Sequence, residues 1–348
     1  MNAARAAFRQ QAVACTELGS PFTARLCTLT AERLLPGTPV ADRVLDWPGN
    51  PSHHADALPL RLAGALHALV LEGRDPVLAR VYPPHETDDD TLWRAVDAAL
   101  AADADFILSR LEGPPQTNET MRSAALAPGL LTVAERTGLP LVTSELGASA
   151  GLNMVWDRFA YHFGAARRGA ASSGVVIAPD WRGPPPPDIA PRVIERAGCD
   201  RAPARLESEA DRLRLLSFVW ADQAARMERL EAAIALTRAE GIGVDRADAA
   251  DWLAGRLARP RPGAAHVVCH SIFWQYLDAA RQARVRGLLD AAGARATTAA
   301  PLAWLRMEAD GEPPGAAVTL TLWPGGETRC LGRADFHGRW ILWTGWTP

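Results

Sequence analysis

The sequence carries at residues 141–153 the stretch LVTSELGASAGLN. Leu141–Glu145 has the short, partly β-branched run of a buried strand, and a loop of small residues follows over Leu146–Gly151. The next residues, Asn153–His162, are predicted to be helical. A strand, a small-residue loop and a helix in succession place ligands at the edge of a parallel sheet. The stretch therefore predicts an α/β domain from about residue 139 onward, with a small-molecule site at this loop.

The loop is compatible with a cofactor-binding function. Small residues let the backbone approach a ligand closely, and the amides at the start of the next helix face that ligand. An acidic side chain at the strand end can accept hydrogen bonds from an ammonium group or a ribose. The cofactor-binding candidates are Glu145, Gly147, Ser149, Gly151 and Asn153.

Two other interpretations of the same loop stay open. Residues 147–151 match the pattern G-x-S-x-G between a strand and a helix, which would make Ser149 the nucleophile of a hydrolase. Asp248 and either His270 or His337 follow in a suitable order. No HGGG-like oxyanion segment precedes this loop, and the negative charge of Glu145 would oppose an alkoxide. The third interpretation is a tight turn that only packs a helix on the sheet.

The sequence predicts a first domain or cap that is helical, over residues 1–115. Its apolar residues recur at helical spacing, as at Leu58, Leu62, Leu66 and Leu69, and no strand alternation precedes residue 110. With 348 residues and about 150 residues per domain, two domains are expected. The second is predicted over residues 116–348.

Within this second domain the pattern alternates between strands and helices. Residues 165–204 are rich in proline and glycine and are interpreted as an insertion. A helix predicted over Glu207–Glu240 breaks near Trp220–Asp222. Short strands then alternate with helices and end in a β-hairpin around the turn Pro324–Gly326. This order predicts a Rossmann-like, doubly wound and mostly parallel sheet.

Composition narrows the classes of function. The formal net charge is −3, so the basic surplus typical of nucleic-acid binding is absent. The sequence has no lysine, which excludes Schiff-base and P-loop chemistry. Five cysteines without C-x-x-C spacing predict reduced thiols and no metal site. Without a long apolar run or a signal-peptide core, we expect a cytoplasmic protein that does not bind membranes. The partner expected from the loop after the first strand is a small molecule.

Four stretches carry a resemblance that spans most of the chain. They are Gln116-Thr117-Asn118-Glu119-x-x-Arg122, the loop Glu145–Asn153, Ala197-Gly198-Cys199-Asp200-x-x-Pro203 and Cys269-His270-Ser271. The chain resembles an uncharacterised bacterial family of unknown function with a methyltransferase-like fold. The loop is similar to the acid-x-G-x-G-x-G motif of class I methyltransferases that use S-adenosylmethionine, with Ser149 in place of the middle glycine.

This resemblance implies roles for acids at the ends of two further strands. An acid after the second strand commonly binds the ribose hydroxyls, and Asp200 is the candidate, with Asp180 as the alternative. An acid after the third strand often meets the adenine amine, and Asp248 fits best. Both Asp200 and Asp248 could instead cap a turn or a helix.

The resemblance also places residues near the reacting group. The fourth strand ends at His270 and Ser271, where a histidine could act as a general base or position the acceptor. The polar residues Asn118, Glu119 and Arg122 are candidates for substrate binding, although Asn118 could cap a helix. The leading hypothesis is an S-adenosylmethionine-dependent methyltransferase acting on a small molecule. The alternatives are the serine hydrolase and a non-catalytic binding protein of the same fold.

Overall fold

The computed structural model describes residues 2–115 and 118–347. Two compact units are present: Met1–Thr117 with Glu207–Glu228, and Asn118–Leu206 with Arg229–Pro348. The α-helices are α1 (Ala3–Glu17), α2 (Pro21–Arg33), α3 (Pro39–Leu45), α4 (Leu58–Leu71), α5 (Pro76–Ala79), α6 (Asp89–Ala102), α7 (Ala104–Leu111), α8 (Ser123–Thr137), α9 (Glu209–Ser217), α10 (Ala224–Ala239), α11 (Ala249–Arg256) and α12 (Ala279–Gly293). The strands are β1 (Leu141–Leu146), β2 (Ala160–Phe163), β3 (Ala166–Gly169), β4 (Val176–Ile177), β5 (Asp180–Arg182), β6 (Val193–Asp200), β7 (Asp245–Arg246), β8 (Ala265–Ser271), β9 (Leu302–Glu308), β10 (Ala316–Trp323), β11 (Glu327–Ala334) and β12 (Trp340–Trp343).

The first unit is helical. No strand occurs between residues 2 and 115, as the apolar spacing predicted. The leucines of α4 at positions 58, 62, 66 and 69 are all buried in one core with α1, α2, α6 and α7. Asp88 begins α6 by accepting a hydrogen bond from the Thr91 amide, which satisfies one of the free amides of the first turn. The predicted N-terminal helical region is therefore confirmed.

The second unit is built on a large sheet. Among the described residues its strand order is β5-β12-β11-β10-β9-β8-β1-β6-β7. The strands β7, β6, β1, β8 and β9 are parallel neighbours, whereas β10, β11 and β12 continue antiparallel from β9. The expected α/β class with a mostly parallel sheet is confirmed.

Helices cover both faces of the central strands. The side chains of β1 are buried along its whole length, which requires cover on both faces. On one face α8 packs against β8, β9 and β10, and Gly129 of α8 lies directly over Leu305. On the other face α11 and α12 share a core with Val268 and Trp304. Neighbouring residues of one strand thus point to different layers.

Three parts of the predicted element order need correction. The stretch 165–204 is not wholly an insertion, because it contains β6, which pairs directly with β1 in the main sheet. Residues 152–158 form a 3-10 helix rather than the start of a longer α-helix, and β2 follows at Ala160. β2 belongs to a separate small sheet with β3 and β4. The closing segment forms three strands, β10 to β12, instead of two.

No helix in residues 2–115 and 118–347 is long and apolar enough to cross a membrane.

Candidate functional site

The order of the parallel strands reverses between β1 and β8. From β1 the sheet continues through β6 to β7 on one side, and from β8 to β9 on the other. In open α/β sheets, ligands bind beyond the carboxyl ends of the strands at such a reversal. β1 ends at Leu146 before the loop 147–151, and β8 ends at Ser271 before Ile272 and Phe273. These two loops of the second unit define the candidate site.

Both loops contain a residue in a backbone conformation that side chains disfavour. Ser149 has a φ of 54° and Ile272 a φ of 48°, whereas the left-handed region is usually reserved for glycine. A β-branched residue such as Ile272 is an outlier there. Strained residues of this kind persist where the surroundings hold them and are concentrated at functional sites. The strain therefore supports the choice of these loops.

Two side chains hold the first loop from outside it. Asp200, the last residue of β6, accepts hydrogen bonds from the Ser149 amide at 3.0 Å and the Ala202 amide at 2.9 Å. Asn118 donates from Nδ2 to the Ser149 Oγ at 3.0 Å, and its Oδ1 accepts from the Ala150 amide at 3.0 Å. Three predicted site residues from distant parts of the sequence are thus in contact.

The structure also resolves which acid ends the second strand. Asp200 lies at the carboxyl end of β6, beside Leu146 and the glycine loop. Asp180 instead begins β5 at the outer edge of the sheet, where its carboxylate pairs with Arg182 at 2.7 Å. Of these two acids, Asp200 is the one that lies beside the loop.

Glu145 is a buried carboxyl at the carboxyl end of β1. Only 6% of the Glu145 surface is exposed to solvent. Burial raises its pKa to about 8; the positive charge of Arg122 opposes this rise, and the negative charge of Asp200 adds to it. The group is therefore mostly protonated at neutral pH unless a cation approaches it.

A small cavity lies beside Glu145 on the α8 face. Its volume is about 10 Å³, which is room for one water molecule. Two atoms of its lining, Asn153 Oδ1 and Trp156 Nε1, are buried and have no hydrogen-bond partner among the described residues. The Asn153 Nδ2 donates to the backbone carbonyl of Glu119 at 3.2 Å. The cavity thus combines a carboxyl, a free acceptor and a free donor.

Gly147 and Gly151 are required by the packing of the loop. Gly147 has a φ of 69°, and a Cβ at this position would overlap the ring of Phe273. Gly151 has a φ of 76°, and a Cβ there would lie 3.0 Å from Val244 Cγ2. Phe273 thus occupies the space beside Gly147.

His270, predicted to face the acceptor, has both ring nitrogens engaged inside the protein. The residue is 0% exposed. Its Nε2 accepts a hydrogen bond from Trp304 Nε1 at 3.0 Å, so its proton is on Nδ1, which lies 2.6 Å from Glu308 Oε1. The ring also stacks on Trp274, with centroids 5.4 Å apart. In this arrangement His270 cannot accept a substrate proton; Ser271 follows on the opposite face of β8.

The remaining predicted residues have local structural partners. Asp248 is the N-cap of α11, accepts from the Ala250 amide at 3.0 Å and pairs with Arg281 at 3.3 Å. Glu119 accepts from the Met121 amide at 3.0 Å. Arg122 donates from Nε to a backbone carbonyl, that of Phe336, at 3.0 Å. Gln116 and Thr117 of the same predicted motif lie outside the described residues.

The triad of the hydrolase interpretation is not assembled. The hydrogen-bond partner of the Ser149 hydroxyl is the Asn118 amide nitrogen, a donor that cannot remove its proton. His270 is bound to Glu308 instead, and Asp248 caps a helix. Both ring nitrogens of His270 are bound to other residues, Glu308 and Trp304, in the described part of the chain.

Sequence reasoning missed the partners of His270. Glu308 ends β9, the parallel neighbour of β8, and also accepts from the Phe273 amide at 2.9 Å. A weak signal was available, since an acid and a histidine at the ends of neighbouring parallel strands meet at one edge. Sequence reasoning also missed a buried hydrogen bond between Ser144 Oγ of β1 and His266 Nε2 of β8, which are 2.9 Å apart. Burial first, then Arg256 and Arg261, lower the pKa of His266 to about 4.

Comparison with known proteins gives one family. A family model described as "Uncharacterized protein conserved in bacteria (DUF2332)" matches residues 5–343. No curated protein and no solved structure matches the chain.

Proposed function

The chain belongs to this uncharacterised bacterial family, and we propose that it is an S-adenosylmethionine-dependent methyltransferase-like protein acting on a small molecule. The observation that carries the proposal is the position of one loop. The loop after β1 lies where the strand order reverses, and the carboxylate that ends the neighbouring strand β6 binds its Ser149 amide. Counted in chain order, the parallel strands run 3-2-1-4-5, the order of Rossmann-like sheets that bind nucleotide cofactors.

The polar groups around Glu145 match the chemistry of the amino-acid end of the cofactor, but the cavity that they line has room for one water molecule. Binding of that end would therefore require the cavity to enlarge. An ammonium group needs acceptors, which Glu145 and the unpartnered Asn153 Oδ1 supply, and a carboxylate needs a donor, which the unpartnered Trp156 Nε1 supplies. An ammonium beside Glu145 would also favour its ionised form. Buried polar atoms without a hydrogen-bond partner are uncommon, and a polar ligand would supply the missing hydrogen bonds.

Asp200 fits the ribose end. Its carboxylate lies at the carboxyl end of β6 and can accept hydrogen bonds from two adjacent hydroxyl groups. When bound, S-adenosylmethionine supplies an electrophilic methyl group on a sulfonium. Asp248 is left out of this site because it caps α11 and pairs with Arg281.

The chain's own residues would align the reactants and exclude water. Phe273 fills the space beside Gly147, so ligand entry requires its ring to move. Ile272, the strained residue before it, would relax as Phe273 turns away. His270 does not serve as the base, because both of its nitrogens are occupied. Methyl transfer at this site would therefore depend on alignment of the acceptor rather than on proton transfer to His270.

The test is calorimetric titration of the full chain with S-adenosylhomocysteine. We expect saturable binding to the wild type and at least tenfold weaker binding to Asp200→Asn. Asp290→Asn on the exposed surface of α12 removes the same charge and should bind like the wild type. Phe273→Ala should bind more tightly, because no ring has to be displaced. Absence of binding heat with wild type and Phe273→Ala, or equal loss in the two aspartate variants, would overturn the proposal.

A further inference from the structure

A second cleft lies between α12 and the strands β9 and β10. Its volume is about 320 Å³, which is within the range of small-molecule sites. The side chains of β9 at positions 304, 306 and 308 point into it, because alternate residues of a strand share a face. Its lining comprises Trp274, Arg286, Trp304, Arg306, Glu308, Ala309, Asp310, Ala317, Thr319 and Cys330.

Two arginines of this cleft make no direct contact with an acid among the described residues. Arg306 lies with its Cζ 3.9 Å from the centre of the Trp304 ring, and Arg286 lies 4.9 Å from that of Trp274. Within the described part of the chain, neither guanidinium makes a hydrogen bond or an ion pair with another residue. Burial and then the positive charge of Arg286 lower the pKa of Arg306, and the negative charge of Glu308 opposes them. Two neighbouring cations without an acceptor are stabilised by an anion between them.

The acids nearby are already committed. Glu308 accepts hydrogen bonds from His270 and the Phe273 amide, at 2.6 and 2.9 Å. Asp310 is bound by both terminal nitrogens of Arg333, at 2.8 and 2.9 Å. The positive charge of the two free arginines is therefore available to a ligand.

The aromatic wall of the cleft is held by contacts with His270. Trp304 donates its indole hydrogen to His270 Nε2, and Trp274 stacks on the same imidazole at 5.4 Å. The two tryptophan rings lie 5.7 Å apart. These contacts position both rings and the arginines that stack on them, which lowers the cost of ordering these side chains on binding. His270 is thus a positioning residue for this cleft.

We propose that the cleft binds a small organic anion, with its phosphate or carboxylate held by Arg286 and Arg306. The flat guanidinium groups suit bidentate contacts to either oxyanion. The Thr319 hydroxyl offers a further donor, and Ala309 and Ala317 with the tryptophan edges accept the apolar part. This site is separate from the loop after β1 and does not depend on the function proposed for that loop.

The experiment uses three probes, phenyl phosphate, benzoate and inorganic phosphate, at fixed ionic strength. Binding is measured by calorimetry and by tryptophan fluorescence, which should change because the site contains two tryptophans. We expect saturable binding of at least one organic probe. Arg306→Gln and Arg286→Gln should each weaken it about tenfold or more, the loss of a charge-assisted hydrogen-bond pair. A stronger response to phenyl phosphate than to benzoate would identify a phosphate site, and the reverse a carboxylate site.

Arg284→Gln is the matched control. Arg284 lies on the same helix and pairs with Asp251 at the surface, so its loss removes the same charge outside the cleft. Equal weakening by Arg284→Gln would mean non-specific attraction and would overturn the proposal. It would also be overturned if no probe binds the folded wild type. A wild-type dimer in sedimentation that Arg306→Gln dissociates would likewise overturn it, since the occupant would then be a second copy.

Discussion

Glu145 predicts a distinctive dependence of stability on pH. Its pKa is raised from 4.5 to about 8 by burial, so the folded chain keeps this proton where the unfolded chain has released it. Between these values the unfolded state binds fewer protons, and the free energy of unfolding therefore falls as pH rises. Glu145→Gln has no proton to lose. Its stability relative to the wild type should increase from pH 5 to pH 8 by on the order of a few kcal/mol, as measured by urea unfolding.

Glu135→Gln is the control for this measurement. Glu135 is exposed on α8, so its substitution should leave the pH dependence unchanged. Parallel curves for wild type and Glu145→Gln would contradict the assignment of a buried protonated carboxyl.

The contacts of Ser149 lead us to expect that this residue does not act as the nucleophile of a hydrolase. Its hydroxyl accepts from Asn118 Nδ2 and, within residues 2–115 and 118–347, hydrogen bonds to no base, so it is not activated as a nucleophile. A fluorophosphonate probe should leave the folded chain unlabelled under conditions that label a known serine hydrolase. Stoichiometric labelling that disappears in Ser149→Ala would contradict this account and restore the hydrolase hypothesis.

The position of a residue at a strand end could be predicted from the sequence, but its side-chain contacts could not. Asp200 was a candidate because the resemblance implies an acid after the second strand, with Asp180 as the alternative, and the structure places Asp200 at the end of β6 in contact with the Ser149 amide. The environment of His270 was not predictable. It depends on Trp304 and Glu308, which lie more than thirty residues away and meet His270 only through the pairing of β8 with β9.

At the level of elements, substitution of Asp248 distinguishes a helix-capping carboxylate from a cofactor-binding one. As the N-cap of α11, it satisfies the Ala250 amide, and Asp248→Ala should cost about 1 kcal/mol of stability. Asp278→Ala, at the N-cap of α12, should cost a similar amount in urea unfolding. Neither variant should change the affinity for S-adenosylhomocysteine. Loss of binding in Asp248→Ala alone would place Asp248 in the cofactor site.

Glu308 links the ends of β8 and β9 through buried hydrogen bonds, and we expect its replacement to destabilise the fold. Glu308→Leu leaves the His270 Nδ1 hydrogen and the Phe273 amide without their acceptor. The loss should be about 2–5 kcal/mol in the free energy of unfolding, since buried donors are left unpaired. Glu312→Leu, at an exposed position after β9, should have little effect. Equal small losses in both variants would contradict the structural role.

Elements were predictable where their periodicity is strong. The leucine spacing of α4 and the apolar run Leu141–Glu145 gave the correct types of element, and the predicted strand lies within the bounds of β1. The region 165–204 was misinterpreted because its prolines and glycines obscure β6, whose exposed residues such as Ile194 break the expected alternation. The small sheet of β2, β3 and β4 was missed because strands of two to four residues leave too short a pattern.

For the whole molecule, the sequence predicted the class of fold, and the region of the functional site stays a prediction. The alternation of strands and helices indicated a mostly parallel sheet, and the order of strands places the predicted loop at its reversal. A boundary near residue 115 stays a prediction. The sheet's order could not be derived from sequence, because many long-range pairings share the same local pattern.

The most direct test of the account is thermal unfolding of the full chain with and without S-adenosylmethionine and S-adenosylhomocysteine. A ligand at about 100 times its dissociation constant adds roughly 2.7 kcal/mol to the free energy of unfolding. At about 2–4 °C per kcal/mol, we predict an upward shift of several degrees with either ligand, and a smaller one in Asp200→Asn. Identical unfolding curves with and without both ligands, on well-folded protein, would contradict the proposed cofactor site.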